Sequence, residues 1–349
     1  CNFGVFHKWG ESLWSPTIHQ RARLDGSWPH LDERFLEGRR RHIFEEHAAI
    51  AALGQRRASV LIIGAGFIGV EWATELQHFF PGLRLTIVDA LPQCLGPLPA
   101  TAAAYCSRYM GERGIRQIYS LKFSADGDFH SRIGLPGGPD RSYVCVGVKA
   151  SNYFLPEEVL SERGPGGGGW ILMDMTLAVK RQSGEVWSTD EFGFGRIYAV
   201  GDCNYGAVDG AGAPGEWLVP PIPKISYPGE EQAVIVARNI RTIDDIVCNG
   251  RAKGAFGRPL RPKTMHWPWG AGMFATSLGP HDACFVAGAH WVKSSGVMCL
   301  WGSLACLQKE VIEASKVNEC AHGRIGRAVW HLVHHTPVHL FGGGPRWGY

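Results

Sequence analysis

The chain has 349 residues, enough for two or three domains with hydrophobic cores of their own. An apolar fraction of 45% excludes a disordered chain, and a net charge of +3 is too small to indicate a nucleic-acid partner. The ten cysteines show no C-x-x-C pair and no metal-ligand spacing, so neither a disulfide framework nor a zinc site is predicted.

The first 57 residues contain one predicted element. Residues 1–31 show no sustained period, and we expect them to be irregular. Residues 32–53 are rich in helix formers with apolar side chains at helical spacing, and Gly54 supplies a stop. The basic run at 39–41 has no interleaved aromatics and is interpreted as a solvated helix face.

Residues 60–89 carry the most informative pattern. An apolar strand at 60–63 is followed by the motif GAGFIG at 64–69, a helical stretch, a Pro-Gly turn and a second apolar strand at 83–88. This order is typical of a βαβ unit with the dinucleotide fingerprint GxGxxG. The alternative is a Gly-rich turn in an unrelated α/β protein.

The residue types of the motif predict cofactor binding at each position. Gly64 permits a tight turn, Gly66 lets the backbone approach a pyrophosphate, and Gly69 allows close packing of helix on strand. The N–H groups of the helix start, at Phe67 and Ile68, would face the phosphates.

Asp89 ends the second strand, where a carboxylate accepts hydrogen bonds from a ribose 2′-OH and repels a 2′-phosphate. No arginine follows it closely, so the sequence favours NADH over NADPH.

Further elements follow in order. We predict a helix at 100–113, a strand at 115–123, a hairpin or loop at 124–140, and a buried strand at 143–147 that ends at Gly147. After a Gly-rich turn at 161–169, residues 170–175 and 177–179 are strand-like. Residues 195–203 form a β-rich run that ends in Gly201, Asp202 and Cys203, and residues 229–240 form a helix. By itself, Asp202 is either a ligand-binding carboxylate at a strand end or the cap of a turn.

Five segments together resemble the apoptosis-inducing-factor-like flavoproteins of the ferroptosis-suppressor group, which are related to type II NADH dehydrogenases. They are IIGAGFIGVE (62–71), CVGVK (145–149), IYAVGDC (197–203), PKISY (223–227) and MFATSLGPHD (273–282). The resemblance covers residues 42–290. It implies an α/β fold in which an NADH-binding Rossmann-like domain is inserted into an FAD-binding one, followed by a small C-terminal α+β domain.

The resemblance also implies domain bounds and site residues. Residues 1–57 would be a remnant of the FAD domain, 58–148 the NADH domain, 149–260 the second part of the FAD domain and 261–349 the C-terminal domain. Asp202, next to Gly201, would hold the flavin's ribityl or phosphate region, and Lys224 would lie beside its ring. Glu71 would lie near the nicotinamide or the flavin edge; its alternative role is a carboxylate stabilised by the positive end of its helix.

The first glycine-rich motif of the family, which binds the ADP half of FAD, has no counterpart in residues 1–41. Either the sequence is an N-terminal truncation, which we favour, or the protein has lost flavin.

The C-terminal region is harder to interpret. Trp267, Trp269, Phe274 and Trp291 suggest a small sheet, and residues 314–317 and 327–333 suggest helices. The apolar run at 296–307 is about half the length of a membrane span. The histidines of this region are His331, His334, His335 and His339. No carboxylate or cysteine completes a metal site with them, so we interpret them as a solvated or interfacial face. An alternative is that this region rests on a membrane surface.

Two functions follow. The first is an FAD-dependent oxidoreductase that takes hydride from NADH and passes electrons to a quinone-like acceptor, with no metal and no nucleic-acid partner. The alternative is a flavin-free NAD(H)-binding sensor or scaffold module. No secretory signal or transmembrane segment is visible, so we expect a cytoplasmic protein or one peripheral to an intracellular membrane.

Overall fold

The computed structural model describes residues 2–3, 36–96, 98–124, 128–146, 148–150, 152–164, 167–207, 226–251, 253–254, 257–265, 273–287 and 298–329. Some residues named in the predictions lie outside these ranges: Gly147, Lys224, Trp267, Trp269, Trp291, His331, His334, His335 and His339.

The chain divides into two compact units. The discontinuous unit consists of Asn2–Gly147 and Gly270–Tyr349, and the continuous unit of Val148–Trp269. The GAGFIG motif lies in the discontinuous unit, and the Gly201-Asp202 pair lies in the continuous unit.

The discontinuous unit begins with a two-residue strand, β1 (Asn2–Phe3), and helix α1 (Leu36–Gln55). A buried carboxylate attaches α1 to the strand at 141–144: Glu46, whose side chain is 3% exposed, accepts hydrogen bonds from Arg141 Nη2 at 2.9 Å and from the Tyr143 hydroxyl. Burial, together with the adjacent Glu46 carboxylate, raises the pKa of Tyr143. The predicted helix is confirmed over its described part and continues one residue past Gly54.

Four parallel strands carry the glycine motif. They are β2 (Ser59–Ile63), β3 (Arg84–Val88), β4 (Arg116–Ile118) and β5 (Arg141–Val144), in the order β4-β3-β2-β5. Helices α2 (Phe67–Phe79), α3 (Ala100–Glu112) and α4 (Asp128–Arg132) connect them. All five residues of β2 are buried, as expected for a parallel strand covered on both faces. This is a Rossmann-like α/β sheet in which β2 lies where the strand order reverses.

The continuous unit contains little regular sheet. Its strands are β6 (Val148–Lys149), β7 (Ile171–Met173) and β8 (Asn204–Ala207), of which β7 and β8 pair in parallel. Helix α5 (Ser226–Val247) extends seven residues beyond the predicted helix end at residue 240. Its buried residues Ile235 and Val236 pack with Met173, Leu177 and Met265 in one core.

A second sheet completes the discontinuous unit. Strands β9 (Met273–Ser277), β10 (Ala283–Ala287) and β11 (Met298–Trp301) are antiparallel in the order β11-β10-β9, and helix α6 (Ser303–Cys320) follows. Phe285 and Ala275 of the sheet pack with Ala305 of α6. The prediction of a small C-terminal sheet is confirmed for Phe274, which lies in β9.

Two element predictions were wrong. The strand expected at 115–123 has only three residues, because Ser120 takes a φ of 57° that ends the extended run. The region 124–140, expected to be a hairpin or loop, contains α4, because Phe129 and Ile133 lie four residues apart and both enter the core beside Leu61.

The apolar run at 296–307, for which no element was predicted, supplies two elements, β11 and the start of α6. Its apolar residues Met298, Leu300 and Ala305 all serve one core around Phe285. Within the residues that the structure describes, no helix is both long and apolar enough to cross a membrane.

Candidate functional site

The glycine motif forms the loop between β2 and α2, at the carboxyl end of the parallel sheet. Gly64 has a φ of 106°, and a Cβ there would lie 2.6 Å from the carbonyl oxygen of Cys145. The Gly64 N–H donates to Val88 O at 2.7 Å, and the Cys145 N–H donates to Ile63 O at 2.7 Å. The loop therefore lies against the ends of β3 and β5, with no room for a side chain at Gly64.

Gly69 and Gly66 differ in their surroundings. A Cβ at Gly69 would lie 1.8 Å from the carbonyl oxygen of Gly64, so the first turn of α2 touches the loop backbone directly. Around Gly66, the described part of the chain brings no atom other than those of its neighbours within 4 Å of a Cβ position. The side of the loop in front of the helix start is therefore open.

The start of α2 presents backbone donors to this open side. The Val70 N–H makes the bond to Gly66 O, at 3.0 Å, that begins the helix. The N–H groups of Phe67, Ile68 and Gly69 come before it, in the turn whose donors have no acceptor within an α-helix. Such a helix start attracts anions, both through these donors and through the helix dipole.

Asp89 lies half-buried just after β3. Its carboxylate accepts the Ala65 N–H at 2.6 Å through one oxygen and the Leu91 N–H at 2.8 Å through the other. It thereby ties the glycine loop to the end of β3. Each carboxylate oxygen has a second acceptor position, so the same side chain is able to accept a ribose hydroxyl.

The Gly201-Asp202 pair forms a 3-10 turn, Gly201–Cys203, just before β8. The β-rich run predicted to lead into it makes only isolated bridges, at Gly195 and Tyr198. Gly201 has a φ of 79°, and its N–H donates to Gln232 Oε1 of α5 at 2.7 Å.

Gln232 fixes this turn to helix α5. Its Oε1 also accepts from Asn204 Nδ2 at 2.6 Å, and its side chain is fully buried. Its Nε2 has no hydrogen-bond acceptor among the residues that the structure describes. A buried donor without an acceptor is costly, so this amide is suited to a bound polar group or water.

Glu71 lies on α2, two residues after the glycine motif, and its Oε1 has two partners. It accepts the backbone N–H of Ser277 at 2.9 Å and the Nζ of Lys309, on α6, at 2.8 Å. Lys309 Nζ also bonds the Ser277 hydroxyl. The sequence prediction missed Ser277 and Lys309, because they lie 206 and 238 positions from Glu71 and no local spacing links them.

The whole length of α2 contacts the antiparallel sheet and the turn after β9. The contacts follow one face of the helix, at the helical spacing of three or four residues. They are the stack of Phe67 on Phe274 with 5.4 Å between ring centroids, the bond of Glu71 to Ser277, the bond of the Gly279 N–H to Thr74 Oγ1 at 3.0 Å, and the edge-to-face contact of His78 with His281 at 5.4 Å.

Burial raises the pKa of two ionisable groups near the glycine loop, Glu75 and Cys145. Burial raises the pKa of Glu75, and the nearby Glu71 carboxylate adds to this while His78 and Lys309 oppose it. Burial raises the pKa of Cys145, which lies under the glycine loop, to about 12. A raised pKa favours the neutral thiol over the thiolate.

The cysteines and acidic groups form no other recognisable centre where the structure is described. None of the nine cysteines of those ranges forms a disulfide. The same ranges contain no cluster of three His, Cys, Asp or Glu side chains suited to a metal ion. The predicted site residues that are described therefore form a loop site around Gly64, Gly66 and Asp89 in one unit and a turn around Gly201 in the other.

Two characterised reductases are similar to this chain over short segments. The chain is 42% identical over 62 residues to the rubredoxin-NAD(+) reductase of Acinetobacter baylyi, covering 18% of this chain and 15% of that protein. It is 29% identical over 116 residues to the type II NADH:quinone oxidoreductase of Staphylococcus epidermidis, covering 28% of this chain and 29% of that protein. The chain thus spans less than a third of the length of these two relatives.

Among solved structures, the ferredoxin reductase for the CYP199A2 system of Rhodopseudomonas palustris matches with a TM-score of 0.44 and 19% identity, over 72% of this chain and 52% of that one. Residues 26–219, more than half of the chain, match the profile of a known family. On that match the chain belongs to the pyridine nucleotide-disulphide oxidoreductase family.

Proposed function

We propose that the protein is an FAD-dependent oxidoreductase that takes hydride from NADH and passes electrons to a quinone-like acceptor. The observation that carries the proposal is the loop around Gly66, where an open space, the N–H groups of a helix start and a strand-end carboxylate meet at the reversal point of a parallel sheet. Family membership supports the redox class.

In this proposal each part of the loop has one task for NADH. The amides at Phe67, Ile68 and Gly69 hold the pyrophosphate, and the missing side chain at Gly66 leaves it room. Asp89 accepts hydrogen bonds from the adenine ribose and disfavours the 2′-phosphate of NADPH. We also assign Gly147, which follows β5 in the sequence, to cofactor binding.

The continuous unit offers a turn that fits a polar part of FAD. The Gly201 backbone is open at its Cβ position, with no atom beyond its neighbours within 4 Å in the described ranges, and Gln232 Nε2 is a buried donor without an acceptor there. We assign Gly201 and Asp202 to the flavin's ribityl or phosphate region, and Lys224 to the ring. When bound, FAD supplies the redox chemistry, accepting a hydride from nicotinamide and releasing electrons singly or in pairs.

Glu71 is proposed to place the nicotinamide. Its Oε1 is fixed by Ser277 and Lys309, so its carboxylate has one orientation relative to the helix start. A carboxylate held in this way orients the carboxamide of a nicotinamide without itself taking part in hydride transfer.

Absorbance spectroscopy of the purified protein tests the proposal. The full-length protein should be yellow, and anaerobic NADH should bleach its flavin band within a single turnover. A colourless preparation that takes up no added FAD but binds NADH would replace the enzyme by the flavin-free sensor or scaffold. A preparation that binds neither cofactor would refute both functions.

The acceptor and the membrane contact are finer parts of the proposal. A type II NADH:quinone oxidoreductase among the relatives supports a quinone-like acceptor, and exposed Leu304 and Leu307 on α6 support peripheral contact with a bilayer surface. Liposome co-sedimentation of the wild type and of Leu304→Glu/Leu307→Glu tests the contact. Equal sedimentation of the two proteins would reject the role of this face.

A further inference from the structure

We propose that Lys309 is a positioning residue for nucleotide binding. By neutralising Glu71, it allows the first turn of α2 to hold the negatively charged pyrophosphate of NADH. This inference rests on the proposed function, because it concerns the same glycine loop. It gives a residue of α6 a role in a site formed more than 200 residues earlier in the chain.

Glu71 lies near the positive end of α2. It is the fifth residue of α2, so its Cα lies about 6 Å along the helix axis from Phe67. The positive end of a helix stabilises a carboxylate there, and the same potential attracts phosphate. An uncompensated Glu71 would therefore oppose the phosphate that the loop is built to hold.

Lys309 compensates the negative charge of Glu71. Lys309 Nζ lies 2.8 Å from Glu71 Oε1, and the two side chains are only 31% and 33% exposed. Half-buried charges are screened by solvent less than surface pairs are. Ser277, whose backbone is fixed by pairing with Ala283 of β10, holds the same oxygen from the sheet side.

A neutralising role for Lys309 differs from plain stabilisation in its effect on NADH binding. A pair that only attaches α6 to α2 would weaken the protein equally whichever partner is removed. A neutralising role predicts that the two substitutions change the NADH affinity differently. Removing Lys309 leaves an uncompensated carboxylate near the phosphate, whereas removing the Glu71 charge does not.

Four variants of the whole protein test this difference by fluorescence titration with NADH. Lys309→Met should raise the Kd about fivefold, because one uncompensated negative charge then opposes the phosphate charges at high effective dielectric. Lys309→Arg should restore binding to within about twofold. Glu71→Gln leaves the positive charge of Lys309, and Glu71→Gln combined with Lys309→Met removes both charges, so both should bind NADH more tightly than Lys309→Met does. Both should lower the turnover number, because Glu71 is proposed to place the nicotinamide.

A matched control is available on the same helix. Lys316, 37% exposed, forms an ion pair with Glu319 at 3.0 Å, so Lys316→Met removes a comparable pair away from the loop. It should leave the Kd for NADH unchanged. Adenosine, which carries no phosphate, should bind Lys309→Met as well as it binds the wild type.

The outcomes are distinct. Unchanged NADH affinity in Lys309→Met, a double variant as weak as Lys309→Met, or an equal loss for adenosine would each overturn the inference while leaving the proposed function intact. A wild-type protein that does not bind NADH would instead overturn the proposed function.

Discussion

Replacing Gly69 by alanine tests the geometry of the glycine loop most severely. The new Cβ would lie 1.8 Å from the carbonyl oxygen of Gly64, which is backbone and has no rotamer to change. Relief of this clash requires α2 to move away from the loop by roughly an ångström. The helix is held by the parallel sheet on one side, and on the other by the contacts of Thr74 with Gly279 and of Phe67 with Phe274. We expect Gly69→Ala to lower the free energy of unfolding by more than about 4 kcal/mol.

Gly66→Ala is the matched control, because it adds the same methyl group where nothing described lies within 4 Å and at an ordinary φ of −74°. Its free energy of unfolding should stay within about 1 kcal/mol of the wild type. Its NADH affinity should fall at least about tenfold, because the methyl group occupies the space proposed for pyrophosphate.

Urea unfolding followed by circular dichroism measures the first quantity, and titration with NADH the second. The reasoning about packing fails if Gly69→Ala is as stable as Gly66→Ala. The reasoning about the phosphate space fails if Gly66→Ala binds NADH as the wild type does.

Three further predictions concern single carboxylates. Asp89→Asn should reduce the preference for NADH over NADPH by about tenfold in kcat/KM, because like-charge repulsion of the 2′-phosphate is removed; similar wild-type rates with both cofactors would contradict the assigned role. Glu46→Gln should cost about 3 kcal/mol in urea unfolding, because Arg141 loses its buried carboxylate partner; a cost below about 1 kcal/mol would contradict this. Hydrogen bonds from the Ser59 N–H and hydroxyl, both at 2.8 Å, lower the pKa of Asp140. This stabilisation is present above the ordinary aspartate pKa of about 3.9 and is lost as the pH falls through the lower folded value, so Asp140→Asn should show a flatter loss of stability below about pH 4.

The parallel sheet was predictable because its signals are local. The apolar runs of β2 and β3, the glycines between them and the acid at the end all lie within 30 residues of sequence, and each constrains the next. The loop geometry around Gly64 and Gly69 follows from the same short stretch, because only glycine fits where backbone meets backbone.

Elements whose reason is tertiary could not be predicted in the same way. Helix α4 lies in a Gly- and Pro-rich region, and it forms because Phe129 and Ile133 reach a core made mainly by distant strands. The apolar run at 296–307 contains parts of two elements, β11 and α6, whose apolar residues pack into the same core. Lys309 has no motif at all, because a lysine on an ordinary helix acquires meaning only when the fold brings it to Glu71.

Helix α2 links these observations, because it packs between two sheets. Gly69, Val70, Ala73 and Leu76 are its buried small and apolar residues, as close packing on the parallel sheet requires. The opposite face uses an aromatic ring and polar side chains, which make directed contacts with residues 274–281.

Apolar packing on one side fixes the depth of the helix, whereas the directed contacts on the other fix its rotation and its position along the axis. The rotation decides where the amides at Phe67 and Ile68 point. The C-terminal sheet is therefore part of the nucleotide loop's support, and substitutions in β9 are expected to change the affinity for NADH even where they leave the parallel sheet intact.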